Sequence, residues 1–227
     1  MEIPKVIIQT YSTKSKIPKK IYDNISKYGE GYEHVIFDDQ ECRHFLQTHY
    51  GQSYVQIFNS FRRGQHKADF FRYCYLYERG GVYLDIKIEL IKPLDEIIHD
   101  SKLIYSVMSI HKNTMFQGII FTPPKASLFR KAIDNMIETI QGKRYYRYGY
   151  FTEVFYEKMK EDAEDEDLKR GMNIGKENNY FLFQEICDKN RNSCYDGLDR
   201  HGFCCYTIDE NDEKVFKNRY AEFGRKW

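Results

Sequence analysis

The sequence has almost no excess charge and no long apolar run. Its 35 Lys and Arg residues are balanced by 34 Asp and Glu residues, which leaves a formal net charge of +1. Such a balance creates no general field that would recruit nucleic acid or an anionic membrane surface. No window approaches the roughly 20 apolar residues of a membrane span, and the N-terminal MEIPKVIIQT has no signal-peptide pattern. We therefore expect a soluble protein with no membrane span and no nucleic-acid partner.

The sequence also lacks CxxC pairs, internal repeats and a proline-rich linker. Its six cysteines are therefore predicted to be free thiols in a reducing compartment. The richness in Lys, Ile, Asn and Tyr is typical of an AT-rich genome, such as that of a bacterium or a large DNA virus. Together with the reducing compartment, it leads us to expect a cytoplasmic protein of a bacterium or of a virus-infected host cell. A length of 227 residues suits one α/β domain, and we predict a single domain over residues 1–227.

Strand and helix patterns alternate along the chain. This alternation predicts the α/β class, with a mostly parallel sheet flanked by helices. The predicted strands are residues 5–9, 34–37, 82–84, 103–108 and 118–121, and the predicted helices are residues 18–27, 39–49, 54–61, 65–78 and a segment that Pro124 opens.

The most informative segment is HKADFFRYCYLYERGGVYLDIKIELIKPLD, residues 66–95. The predicted helix 65–78 carries Asp69 and Arg72 at a spacing of three residues, so both side chains project from one face. Gly80 and Gly81 follow where a helix C-cap favours glycine. The next three residues form an apolar strand that delivers Asp85 to its C-terminal end, which is the edge where open α/β sheets bind ligands.

These motifs resemble glycosyltransferase family 32, a group of sugar transferases that contain a D-x-D motif. The family pattern has an N-terminal IPKIIHQ(T/I)W, then S/ADxxRYxxLYxxGGxYxDxD, then PLD. This chain has IPKVIIQTY at residues 3–11, ADFFRYCYLYERGGVYLDIK at residues 68–87, and KPLD at residues 92–95. The resemblance covers roughly the first hundred residues, and it is specific because several motifs occur together.

The resemblance implies a GT-A type, Rossmann-like fold and a hexosyltransferase activity. The enzyme would move a hexose from a UDP- or GDP-sugar to a glycan or protein hydroxyl, with retention of anomeric configuration. Residues 1–100 would form the donor-binding half, and residues 101–227 the acceptor-side half with a C-terminal extension. The alternative is a catalytically inactive protein that binds a nucleotide sugar or a glycan.

Each part of a nucleotide-sugar donor makes its own chemical demand. The departing diphosphate needs positive charge, usually a Mn²⁺ or Mg²⁺ ion held by oxygen ligands such as Asp85. The base needs an aromatic face, and Tyr11 occupies the position where the family usually has Trp. The resemblance implies that Gln9 and Thr10 bind the nucleotide beside Tyr11. It also implies that Asp69 and Arg72 bind the hydroxyls of the donor sugar, as an acceptor and donor pair can.

Lys87 departs from the family pattern, because it stands where the second Asp of D-x-D would be. Asp85 could hold the metal with the diphosphate and water alone. Glu89 could replace the missing ligand, since period-two alternation would place it on the same strand face as Asp85. The Lys87 ammonium could instead neutralise the diphosphate itself. Of these, the sequence favours a weakened Mn²⁺ or Mg²⁺ dependence, because Asp85 is kept.

The acceptor side is less defined by the sequence. The segment KRYYRYGY, residues 143–150, could line it, although a solvated connecting loop is the alternative. Retention needs no dedicated base if the departing phosphate oxygen accepts the acceptor's proton. An inverting enzyme would need a carboxylate as general base. For that role the sequence offers Glu153, Asp134 and Asp209 without choosing among them.

Overall fold

The computed structural model describes residues 1–188 and 204–218. Within these residues the longer helices are α1 (Lys19–Tyr28), α2 (Asp39–Tyr50), α3 (Gln52–Ser60), α4 (Gly64–Arg79), α6 (Ser127–Gln141) and α7 (Tyr150–Asp162), and the one-turn helix is α5 (Leu94–Ile97). The strands are β1 (Val6–Thr10), β2 (Glu33–Phe37), β3 (Gly81–Leu84), β4 (Ile88–Leu90), β5 (Ile104–Met108), β6 (Met115–Thr122), β7 (Gly171–Asn173), β8 (Tyr180–Asp188), β9 (Cys204–Ile208) and β10 (Lys214–Asn218).

The described strands form one ten-stranded sheet. Its order is β2-β1-β3-β6-β5-β8-β9-β10-β4, and β7 pairs with β8 outside this path. Strand β1 is parallel to β2 and β3, and β5 is parallel to β8. The other pairings are antiparallel. The predicted helix-flanked α/β sheet is confirmed, but it is mixed rather than mostly parallel, because hairpin-like returns through β6 and β9 interrupt the parallel pairs.

One edge of this sheet collects the ends of several strands. Strand β6 is antiparallel to both β3 and β5, so β3 and β5 run in the same direction. The C-terminal ends of β1, β2, β3, β5 and β8 therefore lie at the same edge, where β6 begins. We call it the carboxyl edge. Ligands of open α/β sheets bind at this edge.

Two apolar cores cover the opposite faces of the sheet. Along β3, Tyr83 belongs to one core, while Val82 and Leu84 belong to the other. The core around Tyr83 includes buried residues of α2, α3, α4, α6 and α7. The second core takes in Ile25 of α1 and buried residues of α5. Because strand side chains alternate between faces, the short apolar run that ends β3 is buried on both sides.

The glycine break between α4 and β3 is enforced by geometry. Gly80 and Gly81 have φ angles of +68° and +110°, a region that favours glycine. A Cβ atom on Gly80 would lie 2.7 Å from the backbone nitrogen of Pro124. Helix α4 therefore ends at the glycines, as predicted, and the chain turns there to enter the sheet as β3.

Several elements lie outside the sequence expectations. Helix α7 and strands β4, β7, β8, β9 and β10 were not predicted, and α6 begins at Ser127, three residues after Pro124. Strands β9 and β10 bury polar side chains such as Thr207 and Asn218 beside apolar ones, so their sequences lack a regular apolar alternation. Within residues 1–188 and 204–218, no helix is both long enough and apolar enough to cross a bilayer.

The expectation of free thiols is wrong for two cysteines. Cys187 of β8 lies directly opposite Cys205 of β9 in the antiparallel register, and the two form a disulfide with Cα atoms 4.2 Å apart. Cys42 and Cys74 are free, as predicted, and the structure buries both. The sequence could not reveal the pair, because the register of two strands separated by 18 residues is not a local property. Cys194 lies outside the described residues.

Candidate active site

Asp85 stands at the carboxyl edge, directly after the last residue of β3. Its backbone N–H donates to the carbonyl of Gly118 at 2.8 Å, which extends the β3–β6 pairing by one residue. Its side chain is 23% exposed, so the carboxylate is reachable from outside the sheet. The placement predicted for Asp85 at a strand end is therefore what the structure has.

The Asp85 carboxylate has three side-chain partners. Its Oδ1 atom accepts a hydrogen bond from the Tyr83 hydroxyl at 3.0 Å and one from the Arg72 guanidinium at 3.2 Å. Its Oδ2 atom lies 3.1 Å from the Lys87 ammonium. Burial by itself would raise the pKa of Asp85, but the Lys87 and Arg72 cations outweigh it, so the pKa is lowered. Asp85 therefore stays ionised under acidic conditions that protonate an ordinary aspartate.

Arg72 joins the two acidic side chains of the cluster. Its Nη1 atom lies 3.3 Å from the Asp69 carboxylate, while its Nη2 atom donates to Asp85 and to the Tyr83 hydroxyl. The guanidinium also donates to the carbonyl of Gln117 and lies over the Tyr83 ring, 4.2 Å from its centroid. Only 4% of the Arg72 side chain is exposed. A buried cation with this many partners fixes the relative positions of helix α4 and strand β3.

Asp69 lies one helical turn before Arg72 and is also buried, with 10% of its side chain exposed. Burial raises the pKa of Asp69, and the attraction of Arg72 opposes that rise. Asp69 and Arg72 are therefore not an exposed ion pair on a helix surface. The spacing of three residues brings them together on one face, as predicted, and that face is turned toward Asp85.

The three residues at the end of β1 have different surroundings. Gln9 is fully buried, and its amide bonds His34 at 2.8 Å and the Asp85 carbonyl at 3.5 Å. The Thr10 hydroxyl is 3.0 Å from that of Tyr83. Tyr11 is partly exposed and packs against a cluster that includes Ile86, the residue after Asp85. Tyr11 therefore packs against the cluster to which the residue after Asp85 belongs, whereas Gln9 contacts the Asp85 backbone from inside the sheet.

Glu89 does not share a strand face with Asp85, so that expectation is wrong. Ile86 and Lys87 form a turn that ends β3 and separates it from β4. Glu89 lies in β4, opposite Lys217 of β10, at the far end of the strand order. The turn breaks the period-two alternation on which the expectation depended.

The donor atoms at Asp85 do not fit a divalent cation in the way that a D-x-D pair would. Mn²⁺ and Mg²⁺ prefer several oxygen ligands with net negative charge. Here one carboxylate is already bonded to two cations and a hydroxyl. Across residues 1–188 and 204–218, no group of three or more His, Cys, Asp or Glu side chains is arranged to hold a metal ion.

Three polar residues of this edge were missed by the sequence reasoning. Tyr83 was taken as an apolar strand residue, although its hydroxyl contacts Thr10, Arg72 and Asp85. Gln117 accepts a hydrogen bond from Tyr73 at 2.8 Å and is buried beside Arg72. Glu185 of β8 is buried and accepts from Ser109 at 3.1 Å and Asn218 at 3.0 Å. The alternation of side chains along β3 predicts that Tyr83 faces the opposite side of the sheet from Val82 and Leu84. No local sequence pattern marks Gln117 or Glu185 as residues of the site.

A cavity of about 470 Å³ opens next to the loop that joins β5 and β6. Its walls come from that loop, from α6, from residue 147 in the loop before α7 and from the first nine residues of α7. Besides Val154, the lining is polar or aromatic: Lys112, Asn113, Asn135, Arg147, Tyr150, Glu153, Glu157 and Lys158. Part of the tyrosine-rich segment 143–150 thus lines a cavity.

The same segment is tied to the helix that carries Asp69. His66, near the start of α4, lies 3.1 Å from the carbonyl of Tyr148, and Arg63 lies over the Tyr148 ring. Of the candidate bases, Glu153 lines the cavity and bonds Arg147 at 2.8 Å. Asp134 pairs with Arg130, and Asp209 accepts from backbone amides of its own turn.

Comparison with known proteins identifies relatives of this chain. Residues 16–104 match the family model described as "Glycosyltransferase sugar-binding region containing DXD motif". Among curated relatives, the uncharacterized glycosyltransferase L373 of Acanthamoeba polyphaga mimivirus is 26% identical over 140 residues, or 59% of this chain and 55% of the relative. The initiation-specific alpha-1,6-mannosyltransferase of Candida albicans is 30% identical over 152 residues, or 62% and 39%. Inositol phosphoceramide mannosyltransferase 3 of Schizosaccharomyces pombe is 34% identical over 100 residues, or 43% and 28%.

A solved structure shares the fold. The chain is similar to the PaToxG glycosyltransferase with a TM-score of 0.54 and 15% identity, over 70% of each chain. At that identity the likeness concerns the fold alone, and it confirms the predicted α/β fold class. The chain spans about half the length, or less, of the curated relatives named above. The predicted resemblance is confirmed: residues 16–104 of this chain match the model of the glycosyltransferase family whose sugar-binding region contains the DXD motif.

Proposed function

We propose that this protein is a glycosyltransferase that moves a hexose from a UDP- or GDP-sugar to a hydroxyl of a glycan or a protein. The observation that carries the proposal is the convergence of Asp85, Arg72 and Asp69 at the carboxyl edge. The family match and the shared fold support it. Several curated relatives are named mannosyltransferases, so mannose is the first hexose to test.

The donor would lie across the ends of β1 and β3. The base would stack on Tyr11, which is partly exposed and packs against the cluster that includes Ile86, the residue after Asp85. The diphosphate would then reach the turn at residues 85–87. Asp69 and Arg72, one helical turn apart and just beneath Asp85, would bind hydroxyls of the donor sugar. This order follows the sheet, in which β1 neighbours β3.

The acceptor would approach from the other side of Asp85. After β3, the sheet continues with β6 and β5, whose connecting loop borders the cavity of about 470 Å³. The polar and aromatic lining of that cavity suits a hydroxyl-rich acceptor, because Tyr150 can cover a sugar face while amides and charged groups bond its hydroxyls. We therefore assign the acceptor to this cavity and the donor to the β1–β3 side.

Transfer would proceed with retention of configuration. In that scheme the bond between the anomeric carbon and the phosphate oxygen breaks, and the electron pair goes to the diphosphate. The acceptor oxygen bonds the anomeric carbon, and its proton passes to the departing phosphate oxygen on the same face. Asp85, Asp69 and Arg72 would orient the donor and need not exchange protons themselves. Anomeric analysis of the product by NMR distinguishes retention from inversion.

The decisive variant is Asp85→Asn, which keeps the size of the side chain and removes its charge. We expect the rate of transfer from GDP-mannose or a UDP-hexose to fall at least about 100-fold. The Asp85 carboxylate is proposed to position the donor, and it holds Arg72 and Lys87 in place. Circular dichroism and urea unfolding check that the variant is folded. Asp23→Asn, at an exposed surface ion pair with Lys19, is the matched control and should keep full activity.

Full transfer by folded Asp85→Asn protein would refute the assignment of the site. Donor binding by calorimetry without transfer or donor hydrolysis in the wild-type protein would favour the alternative, a catalytically inactive nucleotide-sugar binder. That alternative is motivated by the change from Asp to Lys at position 87.

A further inference from the structure

Lys87 is one of the two accessible charges of the active-site cluster. Its side chain is 21% exposed and that of Asp85 is 23% exposed, while Arg72 and Asp69 are largely enclosed. A ligand that reaches the carboxyl edge at this turn therefore meets an ammonium group beside a carboxylate. A phosphate is the natural partner of such an ammonium, since lysine binds phosphates as a point charge.

The neighbours of Lys87 hold its ammonium in place. The Nζ atom is 3.1 Å from Asp85 Oδ2 and 5.6 Å from the centroid of the Phe116 ring. Phe116 lies in β6, one strand over from β3, so the ammonium is held above the β3–β6 boundary. The side chain is thus drawn back toward the cluster and does not extend away from the sheet.

The charge of the cluster is balanced without a metal ion. With both carboxylates ionised, Asp69 and Asp85 contribute two negative charges, and Arg72 and Lys87 contribute two positive charges. An aspartate at position 87 would instead leave an excess of two negative charges, which a divalent cation would cancel. With Lys87, the charges of the four side chains sum to zero without a metal ion. A D-x-D site reaches the same net charge only when it binds its divalent cation. A divalent cation bound to Asp85 would be repelled by Arg72 and Lys87, which already pair with that carboxylate.

The fold does not support Glu89 as a replacement for the missing metal ligand. Glu89 belongs to β4, which the turn at Ile86 and Lys87 separates from β3 and which pairs with β10. The family's second carboxylate therefore has no replacement on the strand that ends at Asp85. What the turn offers at that place is the Lys87 ammonium.

We propose that Lys87 takes the place of the divalent cation, so that this protein binds the diphosphate of its donor without metal. This inference rests on the proposed function. The Lys87 ammonium donates to an oxygen of the diphosphate in the bound donor. When the bond from the anomeric carbon to that diphosphate breaks, the electron pair goes to the phosphate oxygen, and Lys87 stabilises the added negative charge. Arg72 reinforces it from behind Asp85.

The test measures binding of UDP and GDP by calorimetry, once with EDTA and once with Mn²⁺. Wild-type protein is expected to bind one of them with the same Kd, within about threefold, under both conditions. Lys87→Met should weaken binding at least tenfold under both. Lys87→Asp should bind poorly in EDTA and regain at least tenfold affinity with Mn²⁺, because it rebuilds the D-x-D pair.

Lys92→Met is the matched control, since Lys92 lies five residues along the same segment and pairs with Glu213. It should bind like the wild type. Binding by the wild type that requires Mn²⁺, or unchanged binding by Lys87→Met, would overturn the role of Lys87 and leave the proposed transferase standing. A wild-type protein that binds neither nucleotide with or without Mn²⁺ would overturn both proposals. Circular dichroism establishes that each variant is folded.

Discussion

Asp85 owes its chemical character to two cations that approach it from opposite sides. Arg72 reaches Oδ1 from helix α4, and Lys87 reaches Oδ2 from the turn that follows. Their attraction outweighs the effect of burial and lowers the pKa of Asp85 below its ordinary value of 3.8. A depressed carboxyl pKa contributes stability that is present above the unfolded-state pKa and is lost as the pH falls through the folded-state value.

We predict that Lys87→Met raises the pKa of Asp85, because Lys87 is the larger of the two favourable charges. Stability would then be lost at a higher pH on the acid side than in the wild type. A carbon-13 titration of the labelled Asp85 carboxyl measures the shift directly, with Lys92→Met as control. An Asp85 titration that is identical in Lys87→Met and wild type would contradict the prediction.

At the scale of single elements, the break between α4 and β3 controls how the cluster is assembled. Helix α4 carries Asp69 and Arg72, and β3 leads directly into Asp85, so the two glycines of the break set the distance between these side chains. Both break residues have positive φ angles, and the first is packed against Pro124. A side chain there would strain the backbone and push α4 away from the sheet.

Gly80→Ala is therefore expected to destabilise the protein by about 2 kcal/mol or more, since it combines a strained φ angle with a backbone clash. Gly64→Ala tests the opposite end of the same helix. A Cβ atom there meets nothing within 4 Å, so its effect should stay within about 0.5 kcal/mol. Urea unfolding of both variants gives the comparison. Equal stabilities would mean that the break tolerates a side chain.

The start of helix α7 offers a test of the proposed acceptor site. Glu153 lines the cavity and bonds Arg147. We predict that Glu153→Gln raises the acceptor KM several-fold and leaves kcat within about threefold, because a retaining reaction needs no base at that position. Glu164→Gln, at an exposed carboxylate beyond the end of α7, is the control. If kcat instead fell by about two orders of magnitude or more, Glu153 would be identified as a general base and the reaction as inverting.

At the scale of the whole molecule, the strand order divides the carboxyl edge into two sides. Strands β2 and β1 lie to one side of β3, and β6, β5 and β8 lie to the other. The sequence nevertheless places β2 before β3 and β8 some hundred residues after it. The site is therefore completed by segments from most of the chain, and the family region at residues 16–104 contains only part of it.

The Cys187–Cys205 pair fastens β8 to β9 in the later part of this sheet. We predict that reduction, or the variant Cys187→Ser, lowers the free energy of unfolding by about 3 kcal/mol, the value expected for a loop of this length. Urea unfolding with and without reductant measures the loss, and peptide mapping without reduction detects the bond. Cys42→Ser, at a buried free thiol, serves as the comparison because removing that thiol should leave the effect of reductant unchanged. A wild-type protein whose stability is insensitive to reductant would contradict the prediction.

The sequence by itself determined the local features of this protein. The spacing of Asp69 and Arg72, the glycine stop, the apolar strand and the position of Asp85 all follow from backbone geometry over a few residues. The motifs they form also identify the family. These features could be predicted because they depend mainly on neighbours in sequence.

Only the tertiary structure decided which distant groups meet. The mixed strand order, the separation of Glu89 from Asp85, the Tyr83 hydroxyl between Thr10 and Asp85, and the Cys187–Cys205 pair all depend on register between strands far apart in sequence. The contact between Lys87 and Asp85 depends on both local sequence and tertiary structure. The two residues are neighbours in one turn, but their side chains can point toward or away from each other. Packing against Phe116 and the approach of Arg72 decide it, and both come from elements that no local pattern could place.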